Sequence, residues 1–462
     1  MHTTTEKPVT YSDFIAKKRH STINHGIELN YLPDGLFEYQ KYVTEYAVKK
    51  GRCAVFLDTG LGKTIIELAV AQNYINATGK PSLIITPLAV AFQFIKEAEK
   101  FGIEDIEYCK DGKHKTKIVV CNYERLEHFN HEDFDCVILD ESSILKNFDG
   151  AIKQRITTFL KNVRYRYLFT ATPSPNDFIE LGTSSEALGY LGFTDMLTKF
   201  FKNQEDTISP MAIGTKWRLK GHAQEYFFRW VSGWSISMRK PSDLGFDDAK
   251  HILPKLTQNY HSIKNQNNLV VNGQIQMFNM IAQRLTEVRQ EQKQTIEDRC
   301  VKAVELSQGK KHTVYWTNFN TEADLIEEMD KDAEQIDGSM SIDKKEEVLL
   351  AFYNKEIKNL VTKPKITAFG LNWQHCNHTV FFPTFSYEQY YQAIRRFWRF
   401  GQTKPVTVDI VYSDGQKRVL DSLLAKTKKA DELFGKLNAE VNQSYTPTSK
   451  GFDKQITLPK FL

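Results

Sequence analysis

The sequence predicts an α/β fold of two lobes, each built on a doubly wound parallel sheet. Three observations carry this. First, 462 residues are more than one hydrophobic core usually serves, so two domains of roughly 200 residues each are expected. Second, short apolar, β-branched runs alternate with helix-like stretches in two separate series. Third, a glycine-bearing turn, Leu57-Asp58-Thr59-Gly60-Leu61-Gly62-Lys63-Thr64, joins a strand-like run to a helix-like run in the first series alone.

Taken in order, residues 1–30 are polar and mixed, a leader with a small accessory helix around Tyr11 to Ile15. Residues 31–210 form the first lobe. It begins at Leu36-Phe37-Glu38-Tyr39-Gln40, which opens a helix-like run to Lys50. Its strands are the run before the glycine turn, then Ser82 to Thr86, Lys117 to Cys121, Cys136 to Leu139 and Tyr167 to Thr170. Continuous apolar strands alternating with helices imply a parallel sheet covered on both faces, and such sheets bind ligands at the carboxyl ends of their strands. Polar clusters fall at those ends: Thr86-Pro87, Asp140-Glu141-Ser142-Ser143 and Thr170-Ala171-Thr172-Pro173.

The glycine turn has the context of a phosphate loop. Glycines let successive N–H groups point into one concavity at a helix N-terminus, where phosphate oxygens are favoured by hydrogen bonds and by the dipole. Thr59, Gly60, Leu61 and Gly62 would cradle the phosphates, Lys63 would reach the β- and γ-phosphates, and the Thr64 hydroxyl would bind Mg²⁺. Leu57 stands where that pattern has its first glycine. Asp140 and Glu141, ending an apolar strand downstream, separate two roles: a carboxylate for the metal's water shell, and a base for an attacking water. Together the two motifs predict ATP hydrolysis. Gln40 offers a donor and an acceptor side by side, which suits an adenine edge, although an exposed helix glutamine has the same sequence.

Residues 211–308 read as an aromatic–basic insertion followed by a linker helix over Glu287 to Leu306. Trp217-Arg218, Phe227-Phe228-Arg229-Trp230 and Met238-Arg239-Lys240 interleave rings with positive charge. Rings stack on bases and basic groups bind phosphates, so Trp217, Arg239 and Lys240, with Thr86 and Pro87, are assigned to a nucleic-acid surface. A core edge with snorkelling basic side chains has the same composition. Residues 309–425 form the second lobe, with strands at Thr313 to Thr317, Glu334 to Ile336, Asn359 to Thr362, Thr379 to Phe382 and Val406 to Val411. It has no phosphate loop. It carries Gln392, Arg396 and Arg399, spaced i, i+4 and i+7 on one helix face, and arginines from a second lobe suit a γ-phosphate.

Composition narrows the classes further. Sixty-one basic against fifty-seven acidic residues leave +4, a balance that leaves local basic surface open. The six cysteines show no C-x-x-C spacing and several lie in strand-like runs, as reduced core residues do. No apolar run reaches the length of a membrane span and Met1 to Thr10 has no hydrophobic signal region, so a soluble, cytoplasmic protein is expected.

The order of these motifs resembles that of superfamily 2 helicases and translocases, most closely their Swi/Snf-like branch with its short phage-type members. The likeness runs from about Leu36 to Val411. It rests on the phosphate loop, Asp140 to Asn147, Thr170-Ala171-Thr172-Pro173, Ile336-Asp337-Gly338-Ser339, Gly370-Leu371-Asn372 and Gln392 to Gln402. The resemblance implies two RecA-like lobes with the ATP site in the cleft between them, and Gln40 on adenine. It also implies that Thr170 and Thr172 couple hydrolysis to nucleic acid, and that Gly370 and Asn372 sense the closed state. Departures are Ser143 where the branch usually has histidine, Gln93 where it often has tryptophan, and a Thr-Ala-Thr-Pro run nearer the wider superfamily. The expected function is an ATP- and Mg²⁺-dependent monomeric motor on duplex or branched DNA. The alternatives are an RNA helicase, or an ATP-gated nucleic-acid clamp that does not move.

Residues 426–462 read as a polar, lysine-bearing tail that ends in Gln455, Leu458, Phe461 and Leu462. That spacing resembles the peptide by which replication and repair proteins dock on sliding clamps, so a clamp is a further expected partner. The first choice for the same residues is nevertheless a final strand or staple packed on the second lobe, and a disordered end is the third reading.

Overall fold

The computed structural model describes residues 24–87, 90–146, 150–203, 217–248, 251–264, 270–271, 274–275, 292–367 and 373–445. Among the described residues, thirteen strands form two parallel sheets. The first sheet holds β1 (Arg52–Leu57), β2 (Ser82–Thr86), β3 (Ile106–Tyr108), β4 (Ile118–Asn122), β5 (Cys136–Leu139), β6 (Tyr165–Thr170) and β7 (Ser235–Met238), in the order β3-β4-β2-β5-β6-β1-β7. The second holds β8 (Leu256–Ile263), β9 (Thr313–Trp316), β10 (Ala333–Gln335), β11 (Asn359–Thr362), β12 (His378–Phe381) and β13 (Val406–Ser413), in the order β8-β13-β12-β9-β11-β10. The strand pairs within both sheets are parallel.

Side chains alternate across a strand, so a run that is apolar throughout feeds two cores at once. In β1, Ala54 and Phe56 enter one buried cluster while Cys53, Val55 and Leu57 enter another on the opposite face. In β9, Val314 and Trp316 face one core and Tyr315 the other. Two α/β lobes, each with its sheet sandwiched, are therefore what the continuous apolar runs build. All six cysteines are buried and free.

The lobes divide at a different place from the one the composition suggested. Strand β7 pairs with β1 (Val55 beside Ile236), so the chain returns to the first sheet well after residue 210. The aromatic run beside it is core: Phe227, Phe228, Trp230, Val231 and Trp234 are buried in the first lobe. Strand β8 then opens the second sheet against β13. The expected linker helix, observed over Ile296–Ser307, belongs to the second lobe, where Arg299 forms a fully buried ion pair of 2.6 Å with Glu322.

The stretch read as a polar tail from residue 426 is largely helical. A helix of 29 residues, Lys417–Tyr445, leaves the second lobe and packs on the first. Leu420, Leu423 and Ala430 are buried in the second lobe's core, whereas Leu433, Phe434 and Leu437 are buried in the first lobe's. Apolar residues three, four and seven apart make one stripe on a helix, and here the stripe is shared between two bodies. Ser237 Oγ donates to Asn438 Oδ1 at 2.6 Å, and Arg239 pairs with Asp431 at 2.5 Å. Tyr11 to Ile15 and the Gln455 to Leu462 peptide lie outside the described residues. No helix among the described residues is long and apolar enough to cross a membrane.

Candidate functional site

The carboxyl ends of β1 and β5 open on a cleft of about 600 Å³ that lies between the lobes. Buried β1 stops at Leu57, and Asp58 to Gly62 turn the chain into the helix Lys63–Thr78. The turn needs its glycines. Gly60 and Gly62 have φ of 87° and 79°, where side chains are strained. A Cβ on Gly62 would lie 2.2 Å from Gln40 Nε2, and one on Gly60 would lie 3.0 Å from the Phe400 backbone nitrogen of the second lobe. Lys63 Nζ donates to Leu57 O at 3.2 Å, folded over the mouth of the turn.

Gln40 braces this loop. Its Nε2 donates to Leu61 O at 3.2 Å and its Oε1 accepts from Phe37 N at 2.9 Å. A carboxamide has a second N–H and a second lone pair beyond these, which leaves the group able to meet a base edge. Tyr39 reaches the same Leu61 carbonyl at 3.2 Å.

Asp140 is buried at the end of β5. Its Oδ2 accepts from Thr86 Oγ1 at 2.9 Å, and its backbone oxygen accepts from Tyr123 at 2.6 Å. Burial, reinforced by the neighbouring Glu141 charge, pushes its carboxyl up to about 7, against the pull of Lys63 and Thr86. A further acid, Glu67, lies fully buried one turn along the helix from Lys63. Burial, and then the nearby Asp140, raise it well above the usual carboxylate range. Sequence reasoning passed over Glu67; its i+4 spacing from Lys63 was the one available signal.

Glu141 has φ of 51°, the left-handed region that a residue with a side chain rarely takes. Its Oε2 accepts from Gln392 Nε2 at 3.2 Å and from Thr170 Oγ1 at 3.4 Å. Thr170 Oγ1 in turn accepts from the Thr172 backbone at 3.0 Å. The structure therefore brings the Asp140-Glu141 pair, both threonines and Gln392 together.

The second lobe's contribution comes from the helix Tyr387–Ile394 and the turns that follow it. Arg396 and Arg399 line the cleft with Gln392. Burial lowers them to about 9 and about 10, so both stay charged at neutral pH, two cations with little water around them. Arg395, between Gln392 and Arg396 in sequence, does something else. It forms a buried ion pair with Asp58 of the first lobe, which also accepts from Tyr391 Oη, and its guanidinium lies 4.5 Å from the Trp398 ring centroid.

The residues assigned to nucleic acid do not form one surface. Thr86 is fully buried against Asp140, and its hydroxyl serves that carboxylate. Arg239 pairs with Asp431 and lies 4.4 Å from the centre of the Phe434 ring, holding the long C-terminal helix. Trp217 packs partly on the first lobe's core. Pro87 is half-buried, and Lys240 is exposed, 3.6 Å from Asp248. Gly370 and Asn372 lie outside the described residues.

Residues 37–180 match the DEAD/DEAH box helicase family and residues 293–401 the helicase conserved C-terminal domain, together more than half of the chain. The chain belongs to the superfamily 2 helicases. It is 30% identical over 183 residues to the mouse DNA annealing helicase and endonuclease ZRANB3, a match covering 35% of this chain and 17% of that one. It is 26% identical over 168 residues to the Xenopus tropicalis SWI/SNF-related matrix-associated actin-dependent regulator of chromatin subfamily A-like protein 1, covering 34% and 18%. These matches thus span less than a fifth of the relatives' length. Among solved structures, the Sulfolobus solfataricus SWI2/SNF2 ATPase core in complex with dsDNA aligns over 90% of this chain and 98% of that one, at 18% identity and a TM-score of 0.43.

Proposed function

We propose that this protein is an ATP- and Mg²⁺-dependent motor that moves along duplex or branched DNA. The observation that carries the reading is the meeting, in one cleft, of Lys63, Asp140 and Glu141 from the first lobe with Gln392, Arg396 and Arg399 from the second. A site built from two lobes of one chain is complete only when they are together, so turnover can be tied to their relative movement, and a monomer suffices.

The roles follow from chemistry. The N–H groups of Thr59 to Gly62 and the Lys63 ammonium take the phosphates of ATP. The donor set beside them is hard oxygen, the Thr64 hydroxyl and the Asp140 carboxylate, which suits Mg²⁺. An acid pushed up to about 7 by burial is also a group that a nearby cation would return to its charged form. The metal when bound supplies neutralisation of phosphate charge. Glu141 orients and deprotonates the attacking water, held by Gln392 and Thr170. Arg396 and Arg399 stabilise charge on the transferring phosphoryl group, a contribution of about 10³ to 10⁵ in rate for such arginines. Thr170, touching that same Glu141, and Thr172, bonded to Thr170, link the base to the nucleic-acid side of the first lobe.

DNA is favoured over RNA because the relatives are named for DNA and chromatin. A docking peptide at Gln455, Leu458, Phe461 and Leu462 would hold the motor near a sliding clamp. The location that goes with this reading is the cytoplasm of a bacterial or phage-infected cell. The testing experiment compares ATP turnover with duplex DNA, single strands, branched DNA and RNA, followed by displacement of a triplex-forming strand. The expected result is strongest stimulation by duplex or branched DNA together with triplex displacement. Stimulation by RNA alone would assign an RNA helicase, and stimulation without displacement a static clamp.

A further inference from the structure

Glu388 is a carboxylate that neither the motifs nor the roles above use. It sits on the second lobe's helix Tyr387–Ile394, one turn before Gln392, and only 6% of it is exposed. It reaches into the first lobe, where Ser143 Oγ donates to its Oε1 and Lys146 Nζ to its Oε2. Ser143 and Lys146 belong to the single turn Ser142–Lys146 that directly follows Glu141. Ser143 Oγ also lies 3.5 Å from the Glu141 carbonyl oxygen, so this turn is folded back on the residue that begins it.

The arrangement brackets Glu141 from one side. Residues four apart share a helix face, so Glu388 and Gln392 arrive together. Gln392 holds the Glu141 carboxylate at 3.2 Å while Glu388 holds the turn behind it. Glu141 needs such support because its φ of 51° is costly for a residue with a side chain, and conformations of this kind persist where surroundings over-determine them. All of these anchors come from the second lobe, more than 240 residues away in sequence. Separation of the lobes would release the turn and the carboxylate at once.

We infer that Glu388 is a positioning residue for ATP hydrolysis: through Ser143 and Lys146 it fixes the turn that aims Glu141 when the lobes are together. The inference rests on the ATPase reading given above. It also assigns work to Ser143, the position where the Swi/Snf-like resemblance leads one to expect histidine: its hydroxyl answers to a lobe-2 carboxylate.

The test uses the full chain with saturating duplex DNA and measures kcat and KM for ATP, with melting temperature as the folding readout. Glu388→Ala is expected to lower kcat at least about tenfold while KM changes less than about threefold, the signature of an interaction needed in the reacting state and not for ground-state binding. Gln389→Ala, on the same helix, is the control expected to match the parent. The charge exchange Glu388→Lys with Lys146→Glu is expected to recover part of the kcat that each single change loses. Normal kcat in a folded Glu388→Ala variant would overturn this inference alone. So would kcat, ATP affinity and melting temperature falling together without recovery in the exchange, since that marks a purely structural contact. A parent chain with no ATP turnover would overturn the ATPase reading and this inference with it.

Discussion

Gln392 Nε2 of the second lobe lies 3.2 Å from Glu141 Oε2 of the first, so the carboxylate ending β5 is oriented by a residue 251 positions away. This contact separates activation of water from binding of phosphate. Lys63→Ala and Glu141→Gln are both expected to abolish ATP turnover, but for different reasons. Loss of Lys63 removes a phosphate contact, and ATP affinity should fall. Glu141→Gln keeps the size and the acceptor oxygen for Gln392 and loses only the base, so ATP affinity should be largely kept. Equilibrium titration with a fluorescent ATP analogue beside steady-state turnover checks both, and near-normal turnover by either variant would remove the assignment.

Arg399 lines the cleft close to the phosphate loop, its Cβ 3.6 Å from where a Cβ on Gly60 would sit. A contact made mainly in the reacting state lowers kcat without weakening ground-state binding. Arg399→Ala should therefore lose at least about 10³ in turnover while retaining most ATP affinity. Two separately expressed lobes that hydrolysed ATP as well as the intact chain would contradict the shared site.

The Asp58–Arg395 pair makes a prediction about stability. Both groups are buried, and removing one partner of a buried pair leaves an uncompensated charge at a cost of about 3–5 kcal/mol. Arg395→Ala should lower the free energy of unfolding by an amount in that range. Arg395→Lys should recover little, because an ammonium reproduces neither the planar fork nor the stacking on Trp398. Asp58→Asn with Arg395→Met, which removes both charges, should be milder than either single change. A double-mutant cycle in urea gives the coupling.

Much of this was legible in the sequence, and the misses share a cause. β1, β2, β5 and β6 announce themselves because a strand buried on both faces must be apolar at every position. The Asp-Glu pair and the glycine turn are contiguous, so their chemistry can be read where it stands. β7 was hidden: Ser235 and Ser237 make Ser-Ile-Ser-Met look exposed, whereas both hydroxyls are satisfied, by Val231 O at 2.8 Å and Asn438 at 2.6 Å. Helix 417–445 is legible in principle from Leu420, Leu423, Ala430, Leu433 and Leu437, but its lysines give the stretch the composition of a solvated tail. Arg395 and Glu388 were unreadable because their partners, Asp58 and Ser143 with Lys146, are 337 and about 240 residues away, and no local pattern encodes such pairs.

Arg239 and Lys240 are adjacent and should behave differently. Arg239 is committed to Asp431 and Phe434, so Arg239→Ala should lower the melting temperature, and Asp431→Ala should do so to a similar degree. Lys240 is exposed, and Lys240→Ala should leave melting unchanged. If it touches DNA phosphate, the slope of log affinity against log salt should fall by about one unit. Affinity titrations at several salt concentrations distinguish the two residues.

The last prediction concerns Gln455, Leu458, Phe461 and Leu462, the peptide whose spacing resembles a clamp-docking motif. A short tethered segment with a glutamine and two or three apolar anchors suits a hydrophobic groove, and its ordering on binding is offset by those anchors. Tethering raises effective concentration at DNA without any change to the motor's own site. Deleting residues 455–462 should therefore leave melting temperature and DNA-stimulated ATP turnover unchanged while abolishing binding to a sliding clamp in a pull-down with purified components. Phe461→Ala with Leu458→Ala should reproduce the loss of binding. A clear drop in melting temperature on deletion, with no clamp binding by the parent, would instead assign Leu458, Phe461 and Leu462 to packing on the second lobe.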